Sequence, residues 1–137
     1  MYLLDTNVVS ELRRVRPHGA VLAWLRSVRD EDLHVSAVTI GEIQSGIEIT
    51  REQDQAKAAE IEAWLEQVAE AYNVLSMDAR TSRSWARLMH RRSDHLIEDA
   101  MIAATAAVHN LTIVTRNARD FEDLGVPTFN PFGTGAG

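Results

Sequence analysis

The chain contains no cysteine and a single lysine, Lys57, in 137 residues. Without cysteine there is no disulfide and no thiolate nucleophile, and a bound metal must be held by oxygen or nitrogen ligands. That absence suits a cytoplasmic protein. No run is long and apolar enough to span a membrane, and no basic segment precedes an apolar one at the N-terminus, so nothing signals export. Excess positive charge is lacking too. The formal net charge of −6 argues against broad, non-specific nucleic-acid binding, but leaves room for a local basic patch and for a basic protein partner.

What remains is an ordinary globular composition, 45% hydrophobic and 25% charged, in a length that suits one domain. There is no internal repeat. The closing "GTGAG" reads as a flexible tail over residues 133–137, which leaves 1–132 as the folded domain. Short apolar runs alternate with helical patterns. Strands are expected at Tyr2–Leu4, Leu33–Ala37, Asn73–Ser76, Leu111–Thr115 and Pro127–Phe129. Helices are expected at Val8–Arg14, Val21–Ser27, Ile40–Thr50, Glu52–Tyr72, Ala79–Arg92 and Ile97–His109. Ile61, Trp64, Leu65, Val68 and Tyr72 fall at helical spacing, which gives that long helix one buried stripe. Strands separated by helices predict an α/β fold with a parallel sheet. Trp24, Trp64 and Trp85 are expected to pack in its core.

Crossover helices run antiparallel to the strands they join, so their N-termini gather at the edge where strands end. In open α/β sheets that edge holds the ligand crevice. Asp5 falls there, directly after the first strand. Glu42 follows the second strand, in "VTIGEI", three residues after Thr39. Thr-x-x-Glu is also a capping box, and capping alone explains that spacing. Asp99, beside Glu98, opens the small and apolar helix "DAMIAATAAV". After "LTIVT" come Thr115, Asn117 and Asp120. Each has a plain alternative: Asp5 as an acid near a helix start with Thr6 or Asn7 as its cap, Asn117 and Asp120 as turn formers.

Together the four segments place acids at one predicted edge. Clustered carboxylates repel one another unless a proton or cation compensates. A hard divalent ion with oxygen ligands, Mg²⁺ or Mn²⁺, is the physical solution. Such a site activates water for attack on a phosphodiester.

The segments "LLDTNVVSEL", "SAVTIGEIQSGI", "DAMIAATAAVHNLTIVT" and "TRNARDF" resemble, in order and spacing, the PIN-domain ribonucleases of the VapC/FitB kind. These are toxins of bacterial toxin–antitoxin pairs. The closing "VPTFNPF" looks like the FitB branch. The resemblance implies a three-layer fold, a parallel sheet of about five strands with helices on both faces. It implies Mg²⁺ or Mn²⁺ held by Asp5, Glu42 and Asp99, with Thr6, Asn7 and Thr115 supporting the site. In some relatives the residue after "TR" is Asp; here it is Asn117, which offers the metal an oxygen but no charge, and Asp120 one turn on is the alternative that completes the site. Implied with it are endonucleolytic cleavage of RNA by metal-activated water, a homodimer, and a small antitoxin with a DNA-binding segment. Arg13, Arg14 and Arg16, and Arg83, Arg87, Arg91 and Arg92, are candidates to hold the RNA backbone, and His90 and His95 candidates to assist.

Two rivals use the same residues. In a phosphotransfer protein Asp5 would take a phosphoryl group. That chemistry wants a second acid where Asn7 stands, and a lysine nearby. In a non-catalytic α/β binding module, the acids would only cap helices.

Overall fold

Three strands of three or four residues, which carry the buried Leu3, Leu4, Leu33, Val35, Ile113 and Val114, form the middle of the molecule. They are β1 (Tyr2–Leu4), β2 (Leu33–Ser36) and β4 (Thr112–Val114), with β3 (Asn73–Leu75) and β5 (Thr128–Phe129) at the edges. The computed structural model describes residues 1–133, so all of the expected tail but Gly133 lies outside the described residues. The five strands make one parallel sheet in the order β3-β2-β1-β4-β5. Leu3 sits opposite His34 and Ile113, and Leu4 opposite Val35 and Val114.

Alternation along these strands builds two cores. Leu3 and Ile113 pack on one face with Ile102, Ala103, Ala106 and Phe121. Leu4, Val35 and Val114 pack on the other with Val8, Val9, Val21 and Leu25. Both faces are covered, which is why consecutive residues such as Leu3–Leu4 and Ile113–Val114 are both apolar. The helices are α1 (Thr6–Glu11), α2 (Gly19–Ser27), α3 (Ala37–Gln53), α4 (Gln55–Ala71), α5 (Ala79–Met89), α6 (Ile97–His109) and α7 (Arg119–Glu122). Ala100, Ala103, Ala104 and Ala106 of α6 are fully buried. Their small side chains let α6 lie close against the sheet. A third, smaller core of Ile47, Ala58, Ile61 and Leu65 joins α3 to α4. Trp24 and Trp64 pack on these cores half-buried, and the half-buried Trp85 indole donates to the Ile97 carbonyl (3.2 Å).

Several boundaries follow from caps rather than from apolar periodicity. Helix α3 begins at Ala37, not Ile40, because Ser36 Oγ accepts the Val38 N–H (3.1 Å). It ends at Asp54, whose extended backbone breaks the helix and whose carboxylate caps α4 through the Lys57 N–H (3.0 Å). Helix α1 starts earlier than expected, at Thr6, and stops at Glu11. Helix α5 stops at Met89, and Arg91 takes a left-handed conformation at φ 64°. Asn110 does the same after α6, at φ 59°, where the Leu111 N–H returns to the Ala106 carbonyl.

Helix α5 also departs from the crossover rule. Met77 touches Thr105, Trp85 touches Ile97, and the charge of His109 acts on Asp78. So α5 and α6 are an antiparallel hairpin. The start of α5 lies beside the end of α6, away from the edge where the strands finish. Among the described residues, no helix is long and apolar enough to cross a membrane.

Candidate active site

The sheet order reverses direction between β1 and β4, and Asp5 and Thr115 stand at the two strand ends flanking that point. Asp5 itself, not Thr6 or Asn7, occupies the cap position of α1. Its Oδ1 accepts the Thr6 N–H (2.8 Å), and its Oδ2 accepts the Thr115 hydroxyl (2.8 Å) and the Asn7 amide (3.2 Å). The Asp5 N–H continues the β ladder to the Val114 carbonyl (2.9 Å). Asp5 is 7% exposed. Burial raises its pKa above the ordinary carboxylate value. The three donors oppose that rise, and the charge of Asp120 adds to it.

Glu42 is not part of a capping box. Helix α3 begins at Ala37, so Glu42 lies in its second turn. Its Oε1 accepts the Thr6 hydroxyl (3.1 Å), which also stands 3.2 Å from the buried hydroxyl of Thr39. Burial first, then a hydrogen bond and charge repulsion from Glu98 and the charge of Asp5, push the Glu42 pKa up to about 7. Asp99, in the first turn of α6, is pushed up to about 6 by burial and by the charges of Asp5, Asp120 and Glu98. The charge of His95 opposes this. Among the described residues the Asp99 carboxylate makes no hydrogen bond.

Asp120 acts on both Asp5 and Asp99, so its charge belongs to the same cluster. The side chain of Asn117 has no such link. Its backbone N–H donates to Thr115 Oγ1 (3.0 Å), and the residue is exposed. Among the described residues, no lysine or arginine forms an ion pair with Asp5, Glu42, Glu98, Asp99 or Asp120. Nor are any three acidic or histidine side chains drawn tightly enough to form a closed ligand set.

Glu98 is the member that sequence reasoning passed over. It was visible beside Asp99, but consecutive helical residues point in different directions, and spacing alone did not show that Glu98 reaches Glu42.

The arginines divide. Arg13 lines a groove of about 270 Å³ together with Thr6, Glu42, Ile61 and Trp64, which places it beside the acids. Arg14 sits near Glu11 (3.7 Å), and Arg16 is exposed. Arg83, Arg87 and Arg91 are exposed on α5 and the turn after it. Arg92 is tied to backbone: Nε donates to the Leu88 carbonyl and Nη2 to that of Asp123. His95 lies near Asp99 and bonds Ser93 (2.6 Å); His90 merely ends α5. Lys57 lies on α4 in a larger cavity of about 620 Å³ with Asp54 and Trp64, and Asp5 is not among the residues lining it. The lysine that a phosphotransfer site needs is therefore missing. Capping accounts for one of the three hydrogen bonds to Asp5, but not for Glu42, and α6 has no side-chain cap for Asp99 to provide.

Known proteins resemble the chain along nearly all its length. The PIN domain family model matches residues 2–127. VapC ribonuclease Y4jK of Sinorhizobium fredii (strain NBRC 101917 / NGR234) is 36% identical over 143 aligned residues, covering 96% of this chain and 98% of that protein. Toxin FitB of Neisseria gonorrhoeae (strain ATCC 700825 / FA 1090) is 35% identical over 139, covering 96% and 99%. In the crystal structure of FitAcB from Neisseria gonorrhoeae, one chain superposes with a TM-score of 0.85 at 33% identity, covering 98% of this chain and all of that one.

Proposed function

The chain belongs to the PIN-domain family, and from that premise we propose that it is a divalent-metal-dependent endoribonuclease, the toxin of a VapC/FitB toxin–antitoxin pair. One observation carries the reading. Five carboxylates from four separate segments share one edge of the sheet; burial and their neighbours' charges raise the pKa values of Asp5, Glu42 and Asp99, and none of the five forms an ion pair among the described residues. The relatives, a VapC ribonuclease and a toxin, point the same way.

The donor set fits a hard cation. Every candidate ligand offers oxygen, as Mg²⁺ and Mn²⁺ prefer, and repulsion in an open cluster is what such an ion offsets. Asp5, Glu42 and Asp99 would hold it, with Asp120 as the fourth acid in preference to Asn117. When bound, the ion lowers the pKa of water and stabilises charge developing on a phosphate. The chain's own residues prepare that chemistry. Thr6, Asn7 and Thr115 fix the Asp5 carboxylate, and the Thr6 hydroxyl also orients Glu42, so two acids share one support. Burial and the neighbouring Glu98 favour the protonated form of Glu42. Arg13 is placed to meet the RNA backbone. We extend the proposal to a homodimer and to a small antitoxin, whose basic character an acidic protein would favour.

Purified free of partner, the chain is expected to cut structured RNA with Mg²⁺ or Mn²⁺ and to stop in EDTA. Asp99→Asn is expected to lower cutting by more than the ~10–100-fold that loss of a ligand's outer partner costs. Cutting by Asp99→Asn at the wild-type rate contradicts the assignment.

A further inference from the structure

Beside the acids lies a cavity of about 360 Å³, where β4 and β5 end. Arg116, Asn117, Arg119, Asp120 and Asn130 line it. Both arginines are exposed, and among the described residues neither guanidinium is paired with a carboxylate. Arg116 is nevertheless well held. Its backbone N–H donates to Asn7 Oδ1 (3.2 Å), and its guanidinium carbon lies 3.9 Å from the ring centroid of Phe132. Phe132 is itself anchored in the core and packs edge-on against His18, with centroids 5.1 Å apart. A stacked arginine has already lost part of its rotamer freedom, so it loses less when it meets a ligand. An oriented, unpaired guanidinium among amide side chains is suited to phosphate oxygens.

Two relations tie this cavity to the acids. Asp120 belongs to both. Asn7 bonds Asp5 with its amide nitrogen and the Arg116 backbone with its amide oxygen. A strand lying across the acids therefore meets Arg116 and Arg119 next. A chain of net charge −6 also needs local cations if it is to hold RNA at all.

We propose that Arg116 and Arg119, with the amides of Asn117 and Asn130, form a phosphate subsite for the RNA strand beside the acidic centre, and that Phe132 is the positioning residue of Arg116. The proposal rests on the ribonuclease reading and adds where the substrate backbone lies.

The test uses the full chain carrying Asp99→Asn and a fluorescein-labelled, mixed-sequence single-stranded RNA, read by anisotropy over a salt series. Arg116→Met removes the charge while keeping a polarisable contact on Phe132, and its melting temperature verifies the fold. It is expected to weaken binding about two- to fivefold. The slope of log Kd against log salt is expected to fall by about 0.7, as for one lost phosphate contact on a single strand. Arg26→Met removes one charge at the end of α2, at the opposite edge of the sheet, and is expected to leave both values unchanged. In the active chain Arg116→Met is expected to raise KM with kcat unchanged within about twofold, the sign of binding shared by ground and transition states. Phe132→Leu is expected to keep the salt slope and raise KM. An unchanged slope and KM in Arg116→Met, or an equal loss in Arg26→Met, overturns the subsite. An unchanged KM in Phe132→Leu overturns its positioning role. Failure of the wild type to cut any RNA in Mn²⁺ overturns the ribonuclease reading instead.

Discussion

The Thr115 hydroxyl donates to Asp5 Oδ2 across 2.8 Å, joining residues 110 positions apart. Both are buried, and they close the ends of neighbouring strands β1 and β4 where the sheet order reverses. The same Thr115 oxygen accepts the Asn117 N–H, so one threonine fixes both the first acid and the loop that carries the last one.

Thr115→Val keeps the shape and removes the donor. A buried carboxylate that loses one of its partners costs ~1–3 kcal/mol. Cleavage is expected to fall ~10–100-fold, the usual effect of losing a group that orients a ligand. Initial rates on one RNA check this, and a rate within error of wild type would show that Asp5 needs no such support.

The fourth acidic position separates two side chains three residues apart. Asp120 acts electrostatically on Asp5 and Asp99, whereas Asn117 is exposed with only its backbone engaged. Asp120→Ala is therefore expected to cost about tenfold more activity than Asn117→Ala. The reverse order would put the asparagine oxygen in the site. Equal and negligible losses would remove the position from the site altogether.

Stability in EDTA is expected to fall as pH rises from about 4.5 to about 7, partly through Glu42. The folded chain holds this proton more tightly than the unfolded chain does. The stabilisation it contributes is complete below the ordinary value of 4.5 and is lost as pH passes the folded value of about 7. Glu42→Gln is expected to flatten that part of the curve. Urea midpoints of both proteins across this window check it; parallel curves would show that Glu42 is not perturbed.

Much of this arrangement is legible in the sequence because apolar pattern sets it. The strand Tyr2–Leu4 and the helix Ile97–His109 fall where periodicity places them, and the other strands lie within one or two residues. Asp5, Glu42, Asp99 and Asp120 stand at strand and helix ends, and topology carries such ends to one edge. Features set by side-chain reach escape that logic. Ser36 rather than Thr39 caps α3, and a serine one residue before a helix leaves no periodic trace. Helix α7 is a single turn, too short for a 3.6-residue pattern. The reach of Glu98 to Glu42, and the hold of Phe132 on Arg116, are contacts between distant segments that spacing cannot encode.

Asp99→Asn offers a cleaner test of charge relief than Asp5→Asn. The Asp5 oxygens accept three donors, and an amide nitrogen there would face the Thr115 hydroxyl or the Asn7 amide. Among the described residues Asp99 has no hydrogen bond to lose. Its replacement does forgo ~0.3–1 kcal/mol of favourable charge at the start of α6, but equally with and without metal.

The most direct measurement is thus the melting temperature of wild type and Asp99→Asn, each in EDTA and in saturating Mn²⁺. In EDTA the variant is expected to match or exceed wild type, because one of the repelling charges is gone. In Mn²⁺ wild type is expected to rise further than the variant and to overtake it, gaining ~2.7 kcal/mol at a metal concentration one hundred times Kd. If Mn²⁺ moves both proteins equally, or neither, the acids do not form a cation site, and the central claim is contradicted.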